Sequence, residues 1–271
     1  MNRTGIQWTD YSSNPIRMIN TVTGRTGWLC SKVSPGCKVC YSERTNLPYG
    51  NGLNFSDEGN WSKVRIEVSD RELDAWRRLK TPSCIFIEDM SDLFHPQIPE
   101  VMLNRVFDGM DTADWHSFQI LTKRPDRMSR YLLARYGMRI PRQFWVGTSV
   151  EMRMYLPRIE HLKDLNASVR FVSFEPLLGS LMGGTTYTLD DALEGIQWAI
   201  TGGESDFHDP RPADLEWFRE IKAACARHNV AFFYKQQGGS SKCQCCHAWG
   251  CGMLDGFKYH NMPVVREPKN L

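Results

Sequence analysis

The sequence lacks any apolar run long enough to span a bilayer. Its opening stretch, MNRTGIQWTD, lacks the apolar core of a signal peptide. There is no clear linker, low-complexity tract or exact short repeat. No sign of charge dominates: 33 Lys and Arg against 31 Asp and Glu leave a formal net charge of +2. Such a balance neither demands nor excludes nucleic acid. These absences point to a soluble cytoplasmic protein without a membrane partner. The 271 residues, 41% of them hydrophobic, suffice for a substantial core without disulfide support.

What the chain does have is cysteine. Nine are present, and seven fall in two clusters. In a reducing compartment, clustering argues for metal rather than disulfides. The first cluster is Cys30, Cys37 and Cys40, spaced C-x6-C-x2-C, with Pro35 and Gly36 marking a loop. Three thiolates make a soft metal site one ligand short of the usual four. An iron–sulfur cluster with one iron open to a small molecule fits that count. The plain alternative is three ordinary cysteines near a turn. The second cluster packs Cys243, Cys245, Cys246, His247 and Cys251 into nine residues. It reads as a local zinc site, a second iron–sulfur cluster, or a flexible cysteine-rich loop, and C-x-C-C-H-x3-C lacks the usual two-knuckle spacing.

Between the clusters, short apolar runs alternate with helical patterns. Strands are predicted at Ile6–Asp10, Ser83–Asp89, Phe118–Thr122, Phe144–Ser149, Val169–Ser173, Gln197–Thr201 and Val230–Tyr234. Helices are predicted from Tyr41, over Glu67–Lys80, Glu100–Met110, Asp126 to Arg135, Leu156–Leu165, Asp190–Glu194, and Asp214–His228 behind the cap Pro212-Ala-Asp. Residues 48–62 are rich in Gly, Asn and Ser and read as a loop. This rhythm predicts an α/β fold, a complete or partial (β/α) barrel of parallel strands with outer helices. A single domain over 1–271 is expected.

Nearly every predicted strand ends in polar residues. They are Asp89, Ser91 and Asp92; Lys123 and Arg124; Thr148, Ser149 and Glu151; Ser173 and Glu175; Gly202, Gly203 and Glu204; Lys235 and Gln236. In a parallel barrel all these ends open on the face that carries the active site. The first cysteine loop, expected just after the first strand, opens on the same face. Carboxylates, cations and a Gly-permitted close backbone approach suit a zwitterionic ligand bearing a ribose. The plain alternative is that these residues cap helices or pair with each other.

The loop GWLCSKVSPGCKVCYSE, with EDMSDLFH, LTKRPDRM, VGTSVE, SFEPLLG, TGGES, KQQGG and LDG downstream, resembles a phage-borne family of radical-SAM-like proteins, often labelled as phage proteins of unknown function. The motifs run from about Ile6 to Pro263. The resemblance implies a radical S-adenosylmethionine (SAM) barrel with a [4Fe-4S] cluster, located in the cytoplasm of a bacterial host. It carries the three ligand positions onto Cys30, Cys37 and Cys40, with SAM chelating the fourth iron. Reductive cleavage of SAM, fed by an electron donor, would yield a 5′-deoxyadenosyl radical that removes a substrate hydrogen. The first arm is longer than in the commonest radical SAM motif, C-x3-C-x2-C. Gly202-Gly203-Glu204 falls late in the chain, whereas the SAM-binding Gly-Gly-Glu of those enzymes follows an early strand. Asp89, Ser91 and Asp92 are therefore the better-placed candidates near the SAM amino group or ribose. Against this family the stretch at about 240–252 reads as a cysteine-rich insertion.

The remaining signals are plainer. Trp76, Trp145, Trp198 and Trp217 fit core positions, while Trp8 and Trp61 fit a core or a pocket lining. Lys123, Arg124, Arg127, Arg130 and Arg135 form either a solvated helix face or a surface for nucleic-acid phosphates. His95, His116 and His208 have no paired ligand spacing. Three functions follow: a SAM-dependent radical enzyme of unknown substrate, with a nucleic-acid base or nucleotide as substrate class by analogy; a non-enzymatic metal-binding protein that recognises nucleic acid; and a cluster-bearing barrel without SAM chemistry.

Overall fold

The structure is a computed structural model that describes residues 1–184, 186–206 and 208–265. The chain divides into two compact units, one running from Met1 to Thr122 and the other starting at Lys123.

The first unit contains β1 (Asn2–Arg3), β2 (Tyr11–Ser13), β3 (Ile16–Asn20), β4 (Thr26–Gly27), α1 (Tyr41–Tyr49), β5 (Val64–Val68), α2 (Asp70–Arg78), β6 (Cys84–Ile87), α3 (Glu100–Asp111) and β7 (Ser117–Thr122). Strands β2, β6 and β7 pair in parallel, and β1 adds antiparallel at the β2 edge. A second, three-stranded antiparallel sheet has the order β4-β3-β5. Trp76, Phe94, Phe107 and Phe118 are fully buried and form its core.

The second unit contains α4 (Pro125–Tyr136), β8 (Phe144–Ser149), α5 (Glu160–Lys163), β9 (Val169–Phe174), α6 (Leu189–Leu193), β10 (Trp198–Gly202), α7 (Leu215–Arg227) and β11 (Ala231–Gln236). Strands β8 to β11 pair in parallel in chain order. All six residues of β8 and all five of β10 are buried, as expected for parallel strands covered on both faces. Trp198 packs edge-on against Trp145 and Phe233, with ring centroids 6.1 Å from each. Asp214 caps α7 by accepting from the Glu216 amide at 2.9 Å.

The α/β class and the repeated strand–helix units agree with the sequence. Neither unit's sheet closes on itself among the described residues, so each is an open run of β/α repeats rather than a complete barrel. No helix among the described residues is long and apolar enough to cross a membrane.

Four local expectations are corrected. The first strand lies at Tyr11–Ser13 rather than Ile6–Asp10. Residues 6–9 turn instead, and the turn buries Trp8 against Phe86, centroids 4.7 Å apart. The helix predicted from Glu67 starts at Asp70, because Val64–Val68 pairs with β3. The helix predicted over Leu156–Leu165 is split into a 3-10 segment, Arg153–Ile159, and the short α5. Pro157 sits inside the 3-10 segment, where it can donate no backbone hydrogen bond. The glycine- and asparagine-rich stretch also ends in a 3-10 turn, Glu58–Lys63, capped by Asp57.

Gly147 of β8 lies directly opposite Phe171 of β9, and the Phe171 ring covers it. A Cβ there would come within 2.6 Å of that ring. We expect Gly147→Ala to destabilise the protein by about 1–3 kcal/mol, the usual cost of overpacking a core. Urea unfolding checks this; an unchanged midpoint would mean that Phe171 moves aside freely.

Candidate functional site

Cys30, Cys37 and Cys40 lie on one loop that begins after β4, a half-buried set with no disulfide among them. The loop does not follow β2 directly as the sequence predicts, because β3 and β4 intervene. Pro35–Cys37 forms a 3-10 turn, and Cys40 caps the start of α1. Burial raises the Cys40 thiol above its usual pKa, and the Glu43 and Ser42 backbone N–H groups aimed at it oppose that rise. A metal ion in place of the proton would gain from the same donors.

Both stems of the loop are tied to the segment that follows β6. On one side Ser31 Oγ meets His95 Nε2 at 2.8 Å and accepts from Trp61 Nε1 at 3.3 Å. Trp61 and His95 stack, centroids 4.1 Å apart. On the other side Tyr41 donates to the Asp89 carbonyl and Ser42 to the Met90 carbonyl. Lys32 and Glu43 close the loop base at 2.8 Å. The three cysteines are thereby held beside the C-terminal end of β6. A cleft of about 440 Å³, lined by Arg3, Thr9, Asp10, Thr81 and Ser83, lies at the opposite end of β6.

Asp89, Ser91 and Asp92 occupy this post-β6 segment, each with a partner. Asp89 Oδ1 accepts from Asn14 Nδ2 at 2.6 Å. Ser91 donates to Glu88 Oε2 at 2.7 Å. Asp92 is buried and accepts from the Phe94 amide at 3.0 Å and the Thr122 hydroxyl at 2.6 Å. Burial raises the Asp89 carboxyl, opposed by the Asn14 hydrogen bond.

In the second unit every strand-end acid predicted from sequence is paired with a cation. Glu151 is fully buried between Lys123, at 3.3 Å, and Arg158, at 3.0 Å. Arg158 also donates to the Ser149 carbonyl at 2.9 Å. Glu175 pairs with Lys235 at 3.0 Å and accepts from Ser173 at 3.3 Å. Glu204 accepts from Arg211 through its amide at 3.0 Å and its Nε at 2.9 Å. Burial pushes the Glu204 carboxyl up, but the Arg211 bonds outweigh it and leave the pKa low. Arg124 flanks the start of α4. Gly202 lies against Glu175, where a Cβ would come within 2.5 Å of Oε1. Gly203 donates to the Gln236 carbonyl at 3.1 Å, and the Gln237 carbonyl fills the space of any Cβ. Thr201 faces Tyr234 but Gly202 faces Gln236, so Lys235 is an extra residue in the ladder. Such a bulge re-aims a side chain.

Of the second cysteine cluster, Cys243, Cys245, Cys246 and Cys251 come together and His247 stays outside, its ring exposed.

Several residues here escape a sequence reading. Glu88 is the most pointed case. It has a left-handed φ of 58°, is 2% exposed, and accepts from the Ile16 amide at 2.6 Å. Burial pushes its carboxyl up to about 8, against the opposing Ile16 and Ser91 bonds. Its place immediately before Asp89 was the available signal. Asn14, Ser31 and His95 give no motif at all; they become visible only as struts.

Parallel β/α repeats define an α/β protein, with cysteines outside any disulfide clustered at two places and one of those clusters able to hold a metal ion. The chain belongs to the family described as Protein of unknown function (DUF5131), which matches residues 3–263. No curated protein matches it. Among solved structures, it is similar to a spore photoproduct lyase variant with bound AdoMet and dinucleoside spore photoproduct, with TM-score 0.45 and 12% identity over 84% of this chain and 64% of that one. It is also similar to spore photoproduct lyase complexed with dinucleoside spore photoproduct, with TM-score 0.40 and 11% identity over 70% of this chain and 57% of that one. The chain thus spans less than two thirds of the length of either structure.

The Glu88 environment makes a pH prediction. Between its usual value of about 4.5 and the folded value of about 8, the folded protein holds a proton that the unfolded chain has lost. Stability should therefore fall as pH rises through that window, by at most about 1.4 kcal/mol per pH unit from this group. Glu88→Gln should flatten the slope. Urea unfolding from pH 5 to pH 8 compares the two proteins, and equal slopes would show that Glu88 titrates normally.

Proposed function

We propose that Cys30, Cys37 and Cys40 hold a [4Fe-4S] cluster whose fourth iron is open to SAM, and that the chain performs radical chemistry on a nucleic-acid base or nucleotide. The observation that carries this reading is the loop itself. It carries three half-buried thiols with no disulfide among them on one loop, with both stems fastened beside the end of β6. The donor set fits the group: thiolates are the ligands of such clusters, and three of them leave one iron without a protein ligand. When bound, the cluster would supply one electron to SAM.

The other roles fall to the chain's own residues. The Ser42 and Glu43 amides at the start of α1 favour negative charge at Cys40. The stacked Trp61 and His95 rings brace the Cys30 side. Asp89, held by Asn14, offers a carboxylate for the SAM amino group or ribose, with Ser91 and Asp92 beside it. Lys123, Arg124, Ser149, Glu151, Glu175, Gly202, Gly203 and Glu204 are the ligand-binding candidates within the second unit itself. Their acids are paired with Lys123, Arg158, Lys235 and Arg211, and with Glu151 fully buried, ligand contact there would fall first to the more exposed cations. The nucleic-acid class rests on the basic residues of α4, of which Arg130 is exposed while pairing with Asp126 at 3.2 Å.

Anaerobic purification, reconstitution with iron and sulfide, and reduction in the presence of SAM test the reading. A brown protein that forms 5′-deoxyadenosine is expected. A brown protein inert to SAM would leave a cluster without SAM chemistry, and a colourless one would remove the cluster. Cys37→Ala should lose most iron and sulfide; a full cluster in that variant would move the ligands elsewhere. Asp89→Asn should keep its cluster yet bind SAM about tenfold more weakly, a difference of about 1.4 kcal/mol by calorimetry. Unchanged affinity would release Asp89 from the site.

A further inference from the structure

We infer that Cys243, Cys245, Cys246 and Cys251 bind a single zinc ion, without His247, and that this ion fastens the segment after β11 onto the Glu204 loop. The four sulfurs all lie within 4.8 Å of one another. Tetrahedral zinc, with Zn–S near 2.3 Å, sets its sulfurs about 3.8 Å apart. Cys243 Sγ lies 3.4 Å from Cys245 Sγ and 2.7 Å from Cys246 Sγ, closer than that spacing, so the thiols crowd around one point and would spread on taking up the ion. A [4Fe-4S] cluster binds each thiolate through a different iron and a [2Fe-2S] cluster divides them in pairs between two irons, so either spreads them around a wider core. Four thiolates around one ion leave no open position, the arrangement of a structural rather than a catalytic zinc.

The backbone is shaped for the ion. Gly252 N–H donates to Cys246 Sγ at 3.1 Å and Met253 N–H to Cys251 Sγ at 3.4 Å. Such donors offset the excess negative charge of a four-thiolate site, as outer partners do at metal centres generally. The chain reverses at His247, with φ 55°, and again at Gly250, with φ 69°. The first reversal brings the Cys243 amide to the Ala248 carbonyl at 2.9 Å and turns the His247 ring outward. The second sets Gly250 N–H on the Ser241 carbonyl at 2.9 Å.

Apolar burial cannot hold this segment. Between Ser240 and Gly256 the buried hydrophobic side chains are Ala248 and Leu254. Ordering a chain costs about 1–2 kcal/mol per residue, so a segment with so little core needs another source of order. Metal binding supplies it, since ligation couples directly to local folding. The consequence reaches the strand ends. Gln237 N–H donates to the Cys251 carbonyl at 2.8 Å and Gly238 N–H to the Trp249 carbonyl at 3.0 Å. Gly239 N–H then donates to the Glu204 carbonyl at 2.8 Å, and Asp206 N–H to the Gly239 carbonyl at 3.3 Å. The ion thus holds in register the loop whose Glu204 carboxylate grips Arg211.

The test uses the full chain. Elemental analysis of protein purified without reconstitution should find about one zinc per chain. Cobalt substitution should give the intense thiolate-to-metal charge-transfer and ligand-field bands of a tetrahedral four-sulfur site. Cys245→Ser/Cys246→Ser should lose that zinc, and Cys37→Ala should keep it, which separates this site from the first loop. Removing zinc with a chelator should raise amide exchange at 237–252 by at least about tenfold while β8 and β9 stay protected. His247→Ala should leave zinc content and the cobalt spectrum unchanged. Iron rather than zinc lost from the double variant, an altered cobalt spectrum in His247→Ala, or no metal in the parent would each overturn the inference.

Discussion

A loop carrying three thiols is useful only if its stems are fixed, and the hydrogen bonds from Ser31 to His95 and from Tyr41 and Ser42 to the residues after β6 fix them. Each such bond contributes about 1 kcal/mol net. The eleven residues from Cys30 to Cys40 cost about 1–2 kcal/mol each to order. The stem bonds therefore set where the loop stands, but they do not by themselves order its middle. Lys32, Val33, Pro35 and Lys38 are exposed and add little burial. On the proposed function, ligation of Cys37 would provide the missing order and would couple loop geometry to metal occupancy. The segment from Glu88 to His95 is the platform of the first unit. Asn14 accepts from the Met90 amide at 3.0 Å and donates to Asp89, and Glu88 holds the Ile16 amide.

The second unit solves a different problem. Its parallel strands end in carboxylates that burial alone would penalise, and each acid has a cation of its own. Removing one partner of a buried pair leaves an uncompensated charge and costs about 3–5 kcal/mol, a cost that applies to the fully buried Glu151 and less to the part-exposed pairs of Glu175 and Glu204. The extra residue Lys235 in β11 shows how the backbone serves the pairing: the ladder shifts at Gly202, and Lys235 meets Glu175. Past the end of β11 apolar packing runs out, and the proposed zinc at the four gathered cysteines would take over.

Much of the architecture was legible because it rests on short-range signals. Buried parallel strands read as apolar runs, and Asp214 before an amphipathic stretch marked α7. Pairing partners are not local, and there the sequence misled. Val64–Val68 becomes a strand only because β3 lies beside it, and residues 6–9 turn because Trp8 finds Phe86. The polar strand ends were visible as residue types, and their mutual pairing was the plain alternative that Lys123–Glu151 and Lys235–Glu175 bear out, but nothing in the spacing links Glu204 to Arg211 or Glu151 to Arg158. His95 showed no ligand spacing because its role is to hold Ser31. His247 looked like a fifth ligand, but it is exposed and the group whose ligand atoms gather is the four cysteines.

The central claim is that the first cysteine loop leaves one cluster iron open to SAM. Electron paramagnetic resonance of the reduced, reconstituted protein, recorded with and without SAM, addresses it most directly. The account predicts a four-iron signal whose g-values shift when SAM is added and which is missing from Cys37→Ala. A parent spectrum identical with and without SAM, at concentrations where calorimetry shows SAM bound, would contradict it.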